Sequence, residues 1–213
     1  MRFDRVALHA PPDLPEFYAR ELGIDLSQPV GETTLEFVPA RGEPFYHFAF
    51  LVPGDRFDAA LEWARERTNL LADETDETVF DFDNWDAKAC YFLDPAGNIV
   101  ELAAHVGIAE NGREGRFDPL ELVGLSELGL VGDMKAMAAE LGKIGLQMWN
   151  GTLEEPDRLA FVGERGRTFI LAPPGRNWFP THRAAEIHAV QAVFAEGSAM
   201  LEDGALVINA TSA

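Results

Sequence analysis

The chain has 213 residues, of which 47% are hydrophobic and 10% aromatic, and its formal net charge is -19. This length and composition predict a folded globular protein, and no apolar run reaches membrane-spanning length. A charge of this sign and size repels phosphate backbones and anionic membrane surfaces, so we expect neither a nucleic-acid partner nor a membrane partner.

The first hundred residues predict two successive modules that each begin with a strand and a helix. The first module reads as strand RVALHA, helix DLPEFYARELG and strand TTLEFVPA. The second reads as strand YHFAFLVP, helix DRFDAALEWARERTNLL and strands TVFDFDNW, AKACYFLD and NIVELAAH. The second helix has apolar residues at helical spacing, and Asp55 is its predicted N-cap. The sequence DPAGN between the last two strands is favourable turn chemistry.

A polar, glycine-containing segment, residues 107–119, is the predicted linker. The pattern then restarts with strand LVGLSELGLV, helix DMKAMAAELGKIG and strands QMWNG, RLAFVGE and TFILAPP. Asp133 is the predicted cap of this helix. The last piece, EIHAVQAVFAEG and ALVINA, predicts two strands with no helix between them. The stretch GRNWFPTH, between TFILAPP and this last piece, is interpreted as a packed connection between the barrel and the remaining strands; alternatively Arg176, Trp178 and His182 form a lip over a cavity.

The repeated pattern is therefore β-α-β-β-β, with shortened copies at both ends. Tight turns join several of the strands, and only antiparallel neighbours can be joined in this way. A parallel, doubly wound sheet is thus excluded, and the predicted fold class is α+β.

This repetition, together with the stretch YFLDPAGNIVEL at residues 91–102, resembles the vicinal oxygen chelate superfamily. That superfamily includes glyoxalase I, extradiol dioxygenases, fosfomycin-resistance enzymes and bleomycin-binding proteins. The resemblance implies tandem βαβββ modules that form half-open mixed β-barrels around a small-molecule pocket. It predicts a first two-module glyoxalase-like domain at 1–106. A second domain at 120–213 would be a truncated barrel with a reduced, helix-less last module. Module swapping is common in relatives, so a homodimer is also expected.

The resemblance to the fosfomycin-resistance branch assigns two residues of this stretch. Tyr91 would line the pocket, and Glu101 would bind a divalent metal. His47 stands where relatives carry the metal histidine of this module. The corresponding residues of the other three modules are Arg5, Glu127 and His188, and Ile170 takes the place of Glu101 in the third module.

A third ligand is harder to find, because Arg5 is a cation and cannot ligate a metal. His9 lies on the same strand face as Arg5, and Glu36 lies on the last strand of the first module, so either one is a candidate. The resulting set of imidazole and carboxylate would suit one divalent ion of iron, manganese, zinc or nickel. In that case Arg5 and Tyr91 would orient a substrate, and Trp85 would cap the pocket or anchor a surface.

The implied function is metal-dependent chemistry on neighbouring substrate oxygens, of the lyase, isomerase, transferase or dioxygenase type. The alternative is a metal-free small-molecule binder, similar to the bleomycin-resistance branch, or a pseudo-enzyme. There His47 would bond to a backbone carbonyl and Glu101 would pair with Arg5. A third alternative is an interaction module whose cavity is filled by side chains. No residue is assigned a catalytic role.

Cellular location follows only from general features. Cys90 is the one cysteine, so an intramolecular disulfide is excluded, and a buried, inert thiol is expected. The stretch MRFDRVALHA lacks the apolar core of a signal peptide. We therefore expect a cytoplasmic protein.

Overall fold

The computed structural model describes residues 1–155 and 157–210, and this part of the chain forms two β-sheets with three short α-helices. The strands are β1 Phe3–Ala10, β2 Thr34–Pro39, β3 His47–Val52, β4 Phe80–Phe82, β5 Ala87–Leu93, β6 Ile99–His105, β7 Gly124–Val131, β8 Met148–Gly151, β9 Ala160–Glu164, β10 Arg167–Ala172, β11 Val190–Phe194, β12 Gly197–Glu202 and β13 Ala205–Ala210. The helices are α1 Leu14–Phe17, α2 Phe57–Arg65 and α3 Met134–Gly142, and α1 continues as a π-helix over Tyr18–Leu22.

The eight-stranded sheet consists of the second and third modules. Its order is β4-β5-β6-β3-β7-β10-β9-β8. Within each module the first strand is parallel to the last, as β3 is to β6 and β7 is to β10. The two modules join through their first strands, because β3 runs antiparallel to β7. This is the α+β, βαβββ architecture that the repeats predict.

The five-stranded sheet takes its strands from the two ends of the described chain. Its order is β13-β12-β11-β1-β2, and β1 pairs antiparallel with β11. Both sheets therefore contain strands from either side of residues 107–119, so they cut across the predicted division into 1–106 and 120–213. The repeats share one local pattern, and local pattern does not specify which module edges pair.

Helices α2 and α3 cover the outer face of the eight-stranded sheet. The apolar side of α2 includes Phe57, Leu61 and Trp63, and the helix packs on β5 and β6. Helix α3 packs on β9, β10 and also β13, so it connects the two sheets. None of the helices in the described part of the chain has the length and apolar character needed to span a bilayer.

Residues 107–119 wrap around a buried arginine. Arg56 forms an ion pair with Glu121 at 2.9 Å and donates hydrogen bonds to the backbone carbonyls of Arg113, Gly115 and Arg116. The segment thus has a fixed path between the second and third modules.

Two local predictions are wrong. Helix α2 begins at Phe57 after Arg56, and the Asp55 carboxylate instead accepts hydrogen bonds from the backbone of Asn111 and Gly112. The last piece forms three strands, because residues 197–202 pair as an additional strand between β11 and β13. By contrast, the Asp133 cap of α3 is confirmed, since its side chain accepts from the backbone of Lys135 and Ala136.

Candidate metal and ligand site

A cavity of about 870 Å³ lies on the inner face of the eight-stranded sheet. Every strand of this sheet contributes to or adjoins its wall, so the sheet is curled into a half-barrel. Its lining includes His47, Trp85, Tyr91, Glu101, Glu127, Phe161, Ile170, Arg176, Trp178 and Phe179. The cavity has the size of pockets that hold drug-sized ligands.

Strand alternation places Glu101 in this cavity. Its neighbours Val100 and Leu102 belong to the apolar core, so Glu101 points to the other side of β6. Tyr91 is its direct partner across β5 and β6, and both side chains line the cavity. The acid in an otherwise apolar strand therefore faces the ligand space.

The DPAGN turn positions His47. The Asp94 side chain accepts hydrogen bonds from the Asn98 backbone and amide group at 2.9 and 2.8 Å. The Asn98 side chain in turn accepts from the backbone of Tyr46 at 2.8 Å. The neighbouring His47 places Nδ1 3.0 Å from the carbonyl oxygen of Ile99. A carbonyl oxygen can only accept, so Nδ1 carries the proton and Nε2 presents a lone pair to the cavity.

His47, Glu101 and Glu127 form a buried cluster. Each contributes one nitrogen or oxygen atom, and these atoms all lie within 4.8 Å of one another. His47 Nε2 is 3.4 Å from Glu101 Oε2. The two residues that the sequence analysis paired thus meet inside the same sheet. Glu127 completes the cluster, although the sequence analysis did not include it among the metal ligands.

Burial shifts the pKa of all three groups. It lowers the pKa of His47 to about 4, so the imidazole is neutral at pH 7. It raises the pKa of Glu127 to about 7. Burial and the nearby charge of Glu127 together raise the pKa of Glu101 well above its ordinary range. Each shift reflects the cost of placing charge in a poorly solvated cavity.

These groups require a proton or a cation between them. The lone pair of His47 Nε2 faces a carboxylate oxygen, and two acceptors cannot stabilise each other. Among the described residues, no lysine or arginine lies within ion-pair distance of Glu101 or Glu127. One imidazole and two carboxylates are ordinary ligands of divalent metals, so these residues fit a metal ion.

The other predicted ligands lie in the five-stranded sheet, away from this cluster. Arg5 donates to Glu36 at 2.9 and 2.5 Å, and the two side chains are 45% and 38% exposed. His9 places Nδ1 3.4 Å from the carbonyl oxygen of Pro39. The predictions that Arg5 meets a cavity ligand or Glu101, and that His9 or Glu36 joins His47, are therefore wrong.

Strand register explains the position of Arg5. Glu101 lies opposite the residue two after His47, and Glu36 lies opposite the residue two after Arg5. Arg5 and Glu36 thus occupy, in the five-stranded sheet, the positions that His47 and Glu101 occupy in the other. In the five-stranded sheet, these positions hold an exposed ion pair instead of a buried cluster.

The same comparison confirms one module alignment and corrects another. Ile170 lies opposite the residue two after Glu127, so Glu127 corresponds to His47 and Ile170 to Glu101. In the last module, Gln191 and not His188 corresponds to Glu127, because Gln191 lies opposite Ala7, the residue two after Arg5. His188 precedes β11 and lies against the rings of Phe45 and Tyr46.

Aromatic side chains form much of the cavity wall. Trp85 contacts Phe161 and Trp149, which brings the two edges of the curled sheet together. A second group lies beside the cluster: the Trp178 ring is 5.0 Å from His47, and Phe179 contacts Tyr91 at 5.7 Å. The segment 175–182 thus closes one side of the cavity and is a packed wall.

No protein-family model matches the sequence, and no curated protein matches it. A proposed dioxygenase from Bacillus subtilis subsp. subtilis strain 168 superposes with a TM-score of 0.55 at 16% identity, over 91% of this chain and 70% of that one. The chain has the vicinal oxygen chelate fold. The predicted resemblance is thereby confirmed as a resemblance of fold.

Two further solved structures are similar to the chain with lower TM-scores. Glyoxalase I from Zea mays superposes with a TM-score of 0.49 at 14% identity, over 81% of this chain and 66% of that chain. The 2,2',3-trihydroxybiphenyl 1,2-dioxygenase of Sphingomonas wittichii strain RW1 gives 0.35 at 15% identity, over 86% and 70%.

Proposed function

We propose that this protein binds one divalent metal ion through His47, Glu101 and Glu127 and acts on a small molecule with neighbouring oxygen atoms. The observation that carries the proposal is that one imidazole lone pair and two carboxylates lie together in a buried cluster, with no cationic side chain of the described residues within ion-pair distance of the carboxylates. Buried charge of this kind is costly unless a proton or a cation accompanies it.

The chain's residues have separable roles in this proposal. When bound, the metal would supply Lewis acidity toward substrate oxygens. The Ile99 carbonyl holds His47 in the tautomer that ligates, since it accepts the Nδ1 proton. Ile170 takes, in the third module, the position that Glu101 takes in the second. Because Ile170 is apolar and cannot ligate, we assign that side of the cluster to the substrate. The Tyr91 hydroxyl adjoins Glu101 and can donate to a substrate or to the carboxylate.

The ligand set restricts the identity of the metal more than the type of reaction. Imidazole suits iron, zinc and nickel, and carboxylates suit manganese, so a mixed set accepts any of the four. Lyase, isomerase, transferase and dioxygenase chemistry all use neighbouring oxygens held at such a centre, and the site does not select one. The cytoplasmic location and the homodimer stay predictions.

A metal-free binder is the second candidate. It is favoured by the raised pKa of Glu127, because a carboxyl with a pKa of about 7 can share a proton with its neighbour at neutral pH. The cavity would then capture a ligand without chemistry.

Metal titration separates these candidates. Protein prepared without chelators is assayed for metal content, stripped, and titrated with Mn²⁺ while tryptophan fluorescence is recorded, since Trp178 lies against His47. We expect one ion per chain and quenching in the wild type, and loss of both in Glu101→Gln and Glu127→Gln. Glu36→Gln is the matched control, because Glu36 holds the equivalent position in the other sheet. Unaltered fluorescence in the wild type, with no bound metal, would support the metal-free binder.

A further inference from the structure

Arg176 is a cation in the cavity wall that forms no ion pair with any carboxylate in the described part of the chain. Its Nε donates to the carbonyl oxygen of Asp157 at 2.9 Å and its Nη1 to that of Asn177 at 2.7 Å. Across residues 1–155 and 157–210, no carboxylate lies within ion-pair distance of the guanidinium, and Nη2 makes no hydrogen bond. The two backbone contacts fix its orientation, and the charge of Asp157 acts on it only from beyond ion-pair distance.

The lack of a partner is notable in a chain with 36 acidic and 17 basic residues. Arg158, the other arginine at the cavity, pairs with Glu155 at 3.3 Å. Burial lowers the pKa of Arg176, which shows that its charge is partly withdrawn from water. Such a group gains from an anion that enters the cavity.

Arg176 also lies close to the proposed metal ligands. After burial, its charge is a further cause that lowers the pKa of His47. Trp178, two residues later on the same segment, packs on the His47 ring at 5.0 Å. A ligand that contacts Arg176 can therefore reach the cluster across the aromatic faces of Trp178 and Phe179.

The charges favour an anion with a single negative charge. A divalent ion would offset the two carboxylates of Glu101 and Glu127, which leaves Arg176 as the net charge of the inner wall. The exposed carboxylates of Asp81 and Asp83 also line the cavity and oppose a more highly charged ligand. The aromatic walls favour a flat hydrophobic body.

We propose that the cavity takes a flat organic monoanion whose anionic group binds Arg176 while its oxygen-bearing end reaches His47, Glu101 and Glu127. The contact with the cluster rests on the proposed function; the recognition by Arg176 does not.

The test uses two probes of similar shape, the anion 3,4-dihydroxybenzoate and the neutral 3,4-dihydroxybenzamide. Their binding is measured by calorimetry for the wild type, Arg176→Gln, Arg176→Lys and Arg5→Gln, each metal-free and with Zn²⁺. Zinc is used because it has no redox chemistry and leaves the probes intact. Arg5→Gln is the matched control, since it removes an arginine in the other sheet.

We expect the wild type to bind the acid at least tenfold more tightly than the amide, in line with a charge-assisted hydrogen bond. Arg176→Gln should abolish this preference by weakening the acid alone. Arg176→Lys should restore part of it, because lysine keeps the charge without the planar fork. Arg5→Gln should keep it in full. Thermal melting of each variant confirms that it is folded.

Zinc distinguishes the two proposals. If the proposed function holds, Zn²⁺ tightens both probes in the wild type and in Arg176→Gln alike. If Zn²⁺ has no effect while the preference still depends on Arg176, the proposed function fails and this inference stands. The inference is overturned if the preference survives in Arg176→Gln, or if the wild type binds neither probe or both equally.

Discussion

The buried carboxylate Glu127, whose charge also raises the pKa of Glu101, should make the stability of the metal-free protein depend on pH, and one substitution tests this. Glu127→Gln keeps the shape of the side chain and removes its titration. Folding raises the pKa of Glu127 from the ordinary 4.5 to about 7, since burial disfavours its charged form. Its contribution to the free energy of unfolding is therefore fully present below pH 4.5 and is lost as pH rises through 7.

The shift sets the size of the effect. At about 1.4 kcal/mol per pKa unit, a rise from 4.5 to about 7 makes the contribution fall by about 2 to 3 kcal/mol between pH 5 and pH 8. His47 acts with the opposite sign. Its pKa falls from 6.5 to about 4 on folding, so it contributes stability above pH 6.5 that is lost as pH falls through 4. The wild type and Glu127→Gln both contain His47, so the contribution of His47 cancels in the difference between their free energies of unfolding.

The assay is urea unfolding of both proteins at pH 5, 6, 7 and 8 after chelation of metals. The quantity of interest is the wild-type free energy of unfolding minus that of Glu127→Gln. We expect it to decline with pH, and we expect saturating Zn²⁺ to remove the decline because a bound cation favours the ionised carboxylate. Glu74→Gln, at an exposed position, serves as the control. A difference that stays constant from pH 5 to pH 8 would refute the reasoning.

Three further substitutions test the architecture. Arg5→Ala should cost less than about 1 kcal/mol in chemical denaturation and leave metal binding unchanged, because its ion pair is exposed; lost metal binding would contradict the geometry. Arg56→Ala should cost about 3 to 5 kcal/mol, since Glu121 would be left buried without its partner; a cost near zero would show that the ion pair does not hold residues 107–119. Gly129→Ala should cost about 1 to 3 kcal/mol and shift tryptophan emission, because the new methyl would lie 3.0 Å from the Trp178 ring; wild-type emission would argue against that packing.

The sequence was informative wherever function depends on local pattern. The resemblance carried by YFLDPAGNIVEL assigned Glu101 to the cavity, and the DPAGN turn was recognised from its residue types. The module alignment even brought Glu127 to the position equivalent to His47. Each of these inferences uses only residues that are near one another along the chain.

The wrong predictions about the site residues involve the choice of pairing partner. Taking the first module as the partner of the second made Arg5, His9 and Glu36 look like neighbours of His47. Glu127 was then left out of the ligand set, although its alignment was the signal that could have identified it. The true neighbour strand is β7, and its antiparallel register with β3 brings Glu127 into the cluster.

What the sequence determined by itself is the module, with its order of strand, helix and strands. Through the resemblance that this pattern carries, it also indicated an acid and a histidine that point into one cavity. The tertiary structure alone decided which modules share a sheet. It thereby decided that Glu127 faces His47 and Glu101, and that Arg176 enters the same cavity. The physical reason is that side-chain alternation is a local property of a strand, whereas sheet pairing depends on contacts between residues far apart in the chain, and four similar modules offer several pairings with nearly the same local pattern.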